Sequence, residues 1–303
     1  MSKTKLKPQK TALIAAVAIS LVVVGLSLLV ASKAATSFAS LEPENGTLAA
    51  PAVSVGDTAA SGGKALQFKA ATASPTPTPS PTSPSGQAMP VGDLPGWKQV
   101  KAEDFTAAAS TTSFDSTYAN SWCGYADGTG GKYYKVISAS GGLMRINLDG
   151  TRGAAGSFGP PATCWGGIYG KYTMRFKVTG ASGYGAANMV WPSSNIWGEG
   201  EVDYPEGGFG GTMHMFQHGI NCSDCSANIA SLDTGKTWTE WHTISTEWTS
   251  SGVKYYLDGT LLKTVTTNIP FNKHRWTLQM AKTGTTATAG TFDIDWVAVY
   301  SAQ

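Results

Sequence analysis

Short segments that alternate apolar and polar side chains fill the C-terminal two thirds of the sequence, and they constrain the fold most strongly. Alternation with a period of two is typical of strands that bury one face. Glycine-rich breaks separate these segments, and no helical period of apolar residues appears beyond residue 31. The clearest segments are LMRINL (143–148), YTMRFKV (172–178), WHTISTEWT (241–249), VKYYLDG (253–259), RWTLQM (275–280) and FDIDWVAVY (292–300). This spacing predicts an all-β domain, a β-sandwich or jelly roll.

The chain changes character near residue 91. All ten tryptophans, all four cysteines and all four histidines follow that point. We therefore expect one globular domain over 91–303. Three segments precede it: a signal peptide or membrane anchor (1–35), a short stalk (36–72) and a linker rich in proline, threonine and serine (73–90).

The N-terminal segment carries an export signal. Four lysines and no acid lie in residues 1–10, and the 21 residues from Thr11 to Ala31 contain no charge. As a helix this run spans roughly 30 Å, enough for a bilayer. Basic residues before an apolar run stay in the cytoplasm, so we expect the rest of the chain to be extracytoplasmic. Two alternatives remain open: a retained anchor that tethers the protein to the cell membrane, or a cleaved secretory signal.

Two segments connect this signal to the domain. The sequence SPTPTPSPTSPS (74–85) favours polyproline II and predicts a semi-rigid spacer of roughly 35–40 Å, at ~3.1 Å per residue. Residues 41–68 resemble the first strands of sugar-binding jelly-roll modules. Since they are too few for a whole module, a poorly ordered stalk is the alternative.

Composition excludes several classes of protein. Aromatic residues make up 10% of the chain, which a collagen, a coiled coil or a wholly disordered protein would not contain. Charge is unevenly distributed, with a net +4 in residues 1–90 and a net −2 in residues 91–303. Because the domain has no basic patch, we expect no nucleic-acid partner. We also expect a monomer.

One segment concentrates carboxylates in a domain that is otherwise sparing with charge. Four acids lie within eight residues of GEGEVDYPEGG (198–208): Glu199, Glu201, Asp203 and Glu206. In a strand Glu201 and Asp203 share a face, and Glu206 joins them only if one residue is bulged out. Pro205 cannot donate to a strand ladder, so a bulge is expected there.

The spacing of these acids suggests a chemistry. Four strand steps of ~3.3 Å separate the outer Cα atoms by about 13 Å. Inclined glutamate side chains then bring the outer carboxyls near the ~5–5.5 Å of a retaining glycosidase. Ionising all three carboxylates on one face is costly, so one of them is expected to hold a proton. The alternatives are an acidic solvent-facing strand and a calcium loop.

The same segment resembles a known family. Glu-Val-Asp-Tyr-Pro-Glu (201–206) matches the Glu-aliphatic-Asp-x-x-Glu signature of family-16 glycoside hydrolases, in the bulged form of laminarinase-like members. Four further segments are similar to the family's strands in the family's order, so that the resemblance covers about residues 97–300. They are GIYGKYTMRFKV (167–178), MVWPSSNIW (189–197), EWHTISTEWTSSGVKYYLDGTLL (240–262) and FDIDWVAVY (292–300).

The resemblance implies a β-jelly-roll sandwich with a concave substrate cleft and no cofactor for catalysis. It assigns Glu201 as the nucleophile, Asp203 as its assisting partner and Glu206 as the acid/base. It also suggests that Asp295 helps to bind a structural calcium ion. The chain departs from the family pattern in Tyr204-Pro205, where hydrophobic pairs such as isoleucine-methionine are commoner, and in the extra acid Glu199.

Several other side chains are candidates for binding sugar. Sugars stack on aromatic rings, so we expect subsites at tryptophans near the catalytic strand or in glycine-rich stretches; a core position is the alternative for each. His214 and Gln279 could also reach the cleft. The candidate set is Trp122, Trp191, Trp197, His214 and Gln279.

The histidines and cysteines allow two interpretations. His214, His218, Cys222 and Cys225 have the spacing H-x3-H-x3-C-x2-C, which fits a zinc site in a cytosolic protein. Export favours oxidation instead, so we expect the disulfides Cys123–Cys164 and Cys222–Cys225.

The sequence thus predicts an exported, retaining endo-β-glycosidase acting on β-1,3- or mixed β-1,3/1,4-glucan, with polysaccharide as its partner. A transglycosylase acting on cell-wall glycan would use the same residues. A non-catalytic glycan-binding module on the same fold is the alternative from another class.

Overall fold

The computed structural model describes residues 52–59, 63–68, 83–125, 135–159 and 166–303. Within this part of the chain, no helix is long and apolar enough to cross a membrane. The apolar run 11–31, which carries the predicted anchor or signal, lies outside the described residues, as does most of the predicted linker. The chain divides into two compact units, Met1–Pro75 and Thr76–Gln303.

The described part of the first unit is a single hairpin. Strands β1 (Ala52–Gly56) and β2 (Lys64–Phe68) pair antiparallel, with Ala52 opposite Phe68. This hairpin falls within the predicted stalk 36–72. Two strands alone are marginally stable in water.

The second unit is a β-sandwich, as the alternating segments predict. Within its described residues, one sheet has the strand order β12-β11-β10-β9-β16-β7-β4 and is here called the carboxylate sheet. Its strands are β4 (Trp122–Gly124), β7 (Ala154–Phe158), β9 (Tyr184–Pro192), β10 (Val202–Gly208), β11 (Thr212–His218), β12 (Asn228–Thr237) and β16 (His274–Lys282).

The second sheet has the order β15-β14-β13-β8-β17-β6-β5, with β3 also paired to β17. Its strands are β3 (Trp97–Glu103), β5 (Ile137–Ser140), β6 (Leu143–Asp149), β8 (Gly170–Gly180), β13 (His242–Thr249), β14 (Gly252–Leu257), β15 (Thr260–Val265) and β17 (Ala289–Ala302). In this unit, the described helical structure is confined to α1 (Phe114–Thr117) and a 3-10 turn, Trp197–Glu199.

Alternation along each strand separates the core from the outer faces. In β13 every second residue, from His242 to Trp248, is buried. In β11 the buried positions include Met213 and Met215, so the positions between them lie on the opposite face. The core between the sheets is rich in aromatic rings, and Phe176 and Phe292 stack with their centroids 5.1 Å apart. Apolar burial of this extent is the main stabilising term of such a domain.

Residues ahead of β3 are also attached to the second unit. Ser83 Oγ donates to Asp295 Oδ2 at 2.6 Å, and the Ser85 hydroxyl contacts the same oxygen. Trp296 Nε1 donates to the carbonyl of Gln87 at 2.9 Å. Asp295 and Trp296 are each 2% exposed and lie in β17. Residues 83–87, although part of the predicted linker 73–90, are therefore attached to the second sheet.

Candidate active site

The predicted bulge is present in β10, between Asp203 and Glu206. Asp203 lies opposite Met189 of β9, and Glu206 lies opposite Ala187. Three residue steps on β10 therefore match two on β9, and the same offset occurs against β11. The Tyr204–Pro205 peptide bond within the bulge is cis. Because the bulge absorbs one residue, Asp203 and Glu206 share one face of the carboxylate sheet.

The core confirms which face this is. Val202 and Tyr204 are each 1% exposed and belong to the hydrophobic core. Asp203 lies between them and therefore points to the opposite face of the sheet. It is also only 1% exposed, because neighbouring side chains of that face cover it. Val202 and Tyr204 thus anchor the strand in the core while its carboxyls face away from it.

Glu201 and Asp203 share contacts with one imidazole. His218 Nε2 lies 3.3 Å from Asp203 Oδ2 and 3.8 Å from Glu201 Oε2. Trp197 Nε1 donates to Glu201 Oε2 at 2.5 Å. Glu201 is therefore held by an indole N–H on one side and lies beside a basic ring on the other.

Burial dominates the protonation of these groups. Burial raises the pKa of Asp203 well above its usual range, although contact with His218 lowers it. The pKa of Glu201 is raised by burial, and His218, Trp197 and Asp203 lower it. Burial also raises the pKa of Glu206, and the charge of Glu201 raises it further. The site therefore retains protons that exposed carboxyls would release, as a general acid requires.

His218, which the sequence placed only in a possible zinc pattern, is a residue of this site. Contact with Asp203 raises the pKa of His218 to about 9. Since the imidazole is cationic near neutral pH, it stabilises negative charge on Glu201 and Asp203. Glu201, Asp203 and His218 have the residue types of a divalent-cation site, with one donor atom from each within 4.8 Å of the others. A metal bound there would have to displace the proton on Nε2.

Glu206 lies in a row of side chains that crosses four strands. Gln279 of β16 is opposite Ala187 of β9, Ala187 is opposite Glu206, and Glu206 is opposite His214 of β11. Two predicted binding residues, Gln279 and His214, are thus brought to the face that carries the carboxyls. His214 Nε2 lies 3.7 Å from Asp233 Oδ2, on the next strand.

Comparison with known proteins identifies the family. The model of glycosyl hydrolases family 16 matches residues 145–298, which is half of the chain and includes β10. The chain belongs to glycosyl hydrolase family 16. None of the curated proteins matches the sequence significantly.

Solved structures share the fold of this family-16 domain. The laminarinase catalytic domain from Thermotoga petrophila RKU-1 is 19% identical, with a TM-score of 0.53 over 70% of this chain and 100% of that one. The laminarinase from Flavobacterium sp. UMI-01 is 18% identical, with a TM-score of 0.55 over 67% and 100%. β-Agarase A, in complex with oligoagarose, is 13% identical, with a TM-score of 0.54 over 68% and 92%. At these identities the likeness establishes the jelly-roll sandwich and leaves the substrate open.

The predicted tryptophans of the family-16 domain divide between the site and the core. Trp197 contacts Glu201 and is 36% exposed. Trp191 is two residues from Met189, on the face that carries Asp203, and its Nε1 donates to Asn195 Oδ1 at 3.1 Å. Trp122 differs from its prediction.

Trp122 is 2% exposed and packs edge-on against Phe158 in the core. A sugar ring cannot stack on it, so its predicted subsite role is corrected to a core role. Alternation alone could not distinguish these positions, because β4 has only three residues.

Arg275 is a second residue of this face that sequence reasoning did not select. It lies opposite Trp191 in the strand pairing and is 6% exposed. Its guanidinium donates to Asn195 Oδ1 at 2.6 Å and to the Tyr125 hydroxyl at 2.8 Å. The alternation of RWTLQM could have found it, since residues 275 and 279 share parity. Arg275 and Trp191 both hold Asn195 at this end of the face.

The extra acid Glu199 lies outside the carboxyl cluster. It is in the 3-10 turn before β10, and the Ser194 hydroxyl donates to its Oε2 at 2.7 Å. It therefore supports the turn.

The cysteine pattern of the family-16 domain is a disulfide pattern. Cys222 and Cys225 are bonded to each other, which removes the two thiolates that the zinc interpretation needs. Cys123 is also disulfide-bonded. Its predicted partner, Cys164, lies outside the described residues.

The surroundings of Asp295 do not fit a calcium ion. Ca²⁺ takes six to eight oxygen ligands. The Asp295 carboxylate instead accepts hydrogen bonds from Ser83 and Ser85, and Arg175 Nε donates to the same Ser85 hydroxyl at 2.5 Å. A guanidinium among these groups already supplies the positive charge that balances Asp295.

Proposed function

We propose that this protein is an endo-β-glycosidase that hydrolyses β-1,3- or mixed β-1,3/1,4-glucan with retention of anomeric configuration. The observation that carries the proposal is the bulge in β10, which brings Glu206 to the face of Asp203. Without it, Glu206 would point into the core and only two acids would remain together. Family membership supports the reaction class, and the laminarinase folds support a β-glucan substrate.

The geometry supports a double displacement. The backbone N–H of His218 donates to the Glu201 carbonyl, and Glu206 lies opposite His214, so four strand steps separate the two glutamates. At ~3.3 Å per step their Cα atoms are about 13 Å apart, and inclined side chains close this gap to near the ~5–5.5 Å of retaining enzymes.

In the first step, the Glu201 carboxylate attacks the anomeric carbon and Glu206 protonates the departing glycosidic oxygen. The C–O bond of the glycan breaks, and a glycosyl ester forms on Glu201. In the second step, Glu206 takes a proton from water, which attacks the anomeric carbon and releases Glu201 as a carboxylate. The raised pKa of Glu206 supports its role as acid, and Asp203 and His218 set the charge around Glu201.

We also propose an exported protein, tethered to the membrane if residues 11–31 are retained. The apolar run after four lysines and the Cys222–Cys225 disulfide support an extracytoplasmic location.

A glycan panel tests the reaction and the substrate together. Reducing-end release is measured on laminarin, mixed-linkage β-glucan and agarose, and the first-formed anomer is read by proton NMR. We expect release from the first two substrates, with the β-anomer formed first. Glu201→Gln should be inactive, while the matched control Glu199→Gln should keep near-wild-type activity.

Three outcomes would contradict parts of the proposal. First formation of the α-anomer would overturn the double displacement. Tight binding to one glycan without release from any would favour a binding module. Transfer to an added acceptor sugar in preference to water would identify a transglycosylase.

A further inference from the structure

The loop between β11 and β12, residues 219–227, lies against the carboxyl cluster and is closed by the Cys222–Cys225 disulfide. His218 Nδ1 lies 2.7 Å from the carbonyl oxygen of Cys225. A carbonyl can only accept, so Nδ1 carries the proton and donates. The loop therefore fixes the orientation of the ring and turns Nε2 toward Asp203 and Glu201.

The same loop also holds the turn that carries Trp197. The Asn221 backbone N–H donates to the Gly198 carbonyl at 2.7 Å. A Cβ atom at Gly198 would lie 2.9 Å from the Cys222 carbonyl oxygen, so the two backbones are in direct contact. The Trp197 and His218 rings lie with their centroids 5.6 Å apart. Both side chains that hold Glu201 thus rest on one loop, residues 219–227, which contains the disulfide.

We propose that the Cys222–Cys225 disulfide is a positioning element for the catalytic carboxyls, acting through His218 and Trp197. The inference rests on the proposed function, because Glu201 is the group whose position it sets. Ser223 and Asp224, between the cysteines, are exposed, and the bridge ties the buried Cys225 to Cys222. The charged groups that face His218 are Glu201, Asp203 and Glu206.

The disulfide has a limited role in overall stability. It closes a loop of only three residue steps, and short loops remove little entropy from the unfolded chain. Its removal should therefore leave the domain folded while it lowers kcat. A merely structural disulfide would lower the unfolding temperature and leave kcat unchanged.

The test compares four forms of the full-length protein: wild type, Cys222→Ser/Cys225→Ser, His218→Gln, and all three substitutions combined. Serine keeps the size of cysteine without the bond. We expect the double variant to lose about 10-fold in kcat on laminarin, the cost of weakening a hydrogen bond to a charged group. The combined variant should lose less than the product of the two separate losses, because both changes remove the contact between His218 and the loop. Ser223→Ala, which keeps the disulfide, is the matched control and should behave as wild type.

A second readout does not depend on turnover. The pKa of His218, raised to about 9 in the intact protein, is measured by NMR titration of its ring carbons. The Cys225 carbonyl contributes to this rise, so the pKa should fall in the double variant. Asp203 remains beside the ring, so the fall should be partial.

Three results are decisive. An unchanged kcat together with an unchanged His218 pKa in the double variant would overturn the inference. Losses that multiply fully in the combined variant would also overturn it, because the disulfide would then act independently of His218. A fall in the His218 pKa in a protein that hydrolyses no glucan would uphold the positioning and overturn the proposed function.

Discussion

Asn188→Asp, which exchanges the side-chain amide nitrogen for an oxygen, is expected to destabilise the domain increasingly as the pH rises. Asn188 is 1% exposed on β9, on the core side of the strand between Ala187 and Met189. Its Nδ2 donates to the Tyr204 carbonyl at 2.8 Å. This carbonyl belongs to the bulge, so the side-chain amide satisfies a buried acceptor within the interrupted stretch of the ladder.

The magnitude follows from burial. A fully buried carboxyl with no cation beside it has a pKa raised by about 3–5 units, to roughly 7–9. Below that pKa, the neutral acid can donate its proton to the Tyr204 carbonyl as the amide did. A carboxyl whose pKa is raised in the folded state destabilises that state progressively as the pH rises above the carboxyl's pKa in the unfolded chain, near 4. The slope is about 1.4 kcal/mol per pH unit, so about 2.7 kcal/mol is lost between pH 5 and pH 7.

Thermal unfolding measures this loss. For a domain of this size, 1 kcal/mol shifts Tm by about 2–4 °C. The difference in Tm between wild type and Asn188→Asp should therefore widen by about 5–11 °C from pH 5 to pH 7. Asn188→Leu leaves the Tyr204 carbonyl unpaired but also removes the unpaired, buried Oδ1 of Asn188. The loss of unfolding free energy in Asn188→Leu should stay below about 3 kcal/mol and should not depend on pH.

Asn228→Asp is the matched control, since Asn228 is exposed on β12. It should show no such widening. A gap for Asn188→Asp that is equal at both pH values, or larger at pH 5, would refute the reasoning that a carboxyl at this position is buried and has a raised pKa.

Four further predictions concern the site and the envelope. Glu206→Ala should lose about 10²–10⁴-fold on natural glucan yet keep activity on nitrophenyl glycosides, whose leaving group needs no proton; azide should then give a product of retained configuration. Azide should restore activity to Glu201→Gly and give a product of inverted configuration. An inverted azide product from Glu206→Ala would instead make Glu206 the nucleophile and Glu201 the acid/base. Trp197→Phe should move the acidic limb of the pH profile of kcat/KM to higher pH. Glu201 must be ionised to attack, and the hydrogen bond from Trp197 lowers its pKa in wild type. An unmoved limb would show that Trp197 does not set the pKa of Glu201. The expressed protein should fractionate with membranes and contain no thiol titratable before reduction, whereas a mature N-terminus near residues 36–41 in the medium would show a cleaved signal.

The sequence predicts the local geometry of the site because that geometry depends on neighbours in the chain. Strand parity places Glu201 and Asp203 together, and the missing N–H of Pro205 marks the bulge that adds Glu206. The predicted segment 143–148 lies within β6 (Leu143–Asp149), and 172–178 lies within β8 (Gly170–Gly180). Local alternation is sufficient for these assignments.

The remainder depends on contacts between distant segments. The histidine that contacts Glu201 is His218 rather than His214. Both have the same strand parity, so only the register of β11 against β10 decides which of them lies beside Glu201. Trp122 is in the core because Phe158, 36 residues away, covers it. The partners of Asp295 come from the end of a proline-rich segment whose pattern predicts a spacer and no contact with the domain.

The attachment of residues 83–87 to β17 has a mechanical consequence. Any pull on the chain ahead of Ser83 is transmitted first to Asp295 and Trp296. These residues lie in a strand that is paired to β8 on one side and to β6 and β3 on the other, so the load is shared across the second sheet. β10 belongs to the other sheet and is not in this path. A pull on this end of the domain is therefore borne first by the second sheet, and not by β10 and the carboxyls beside it.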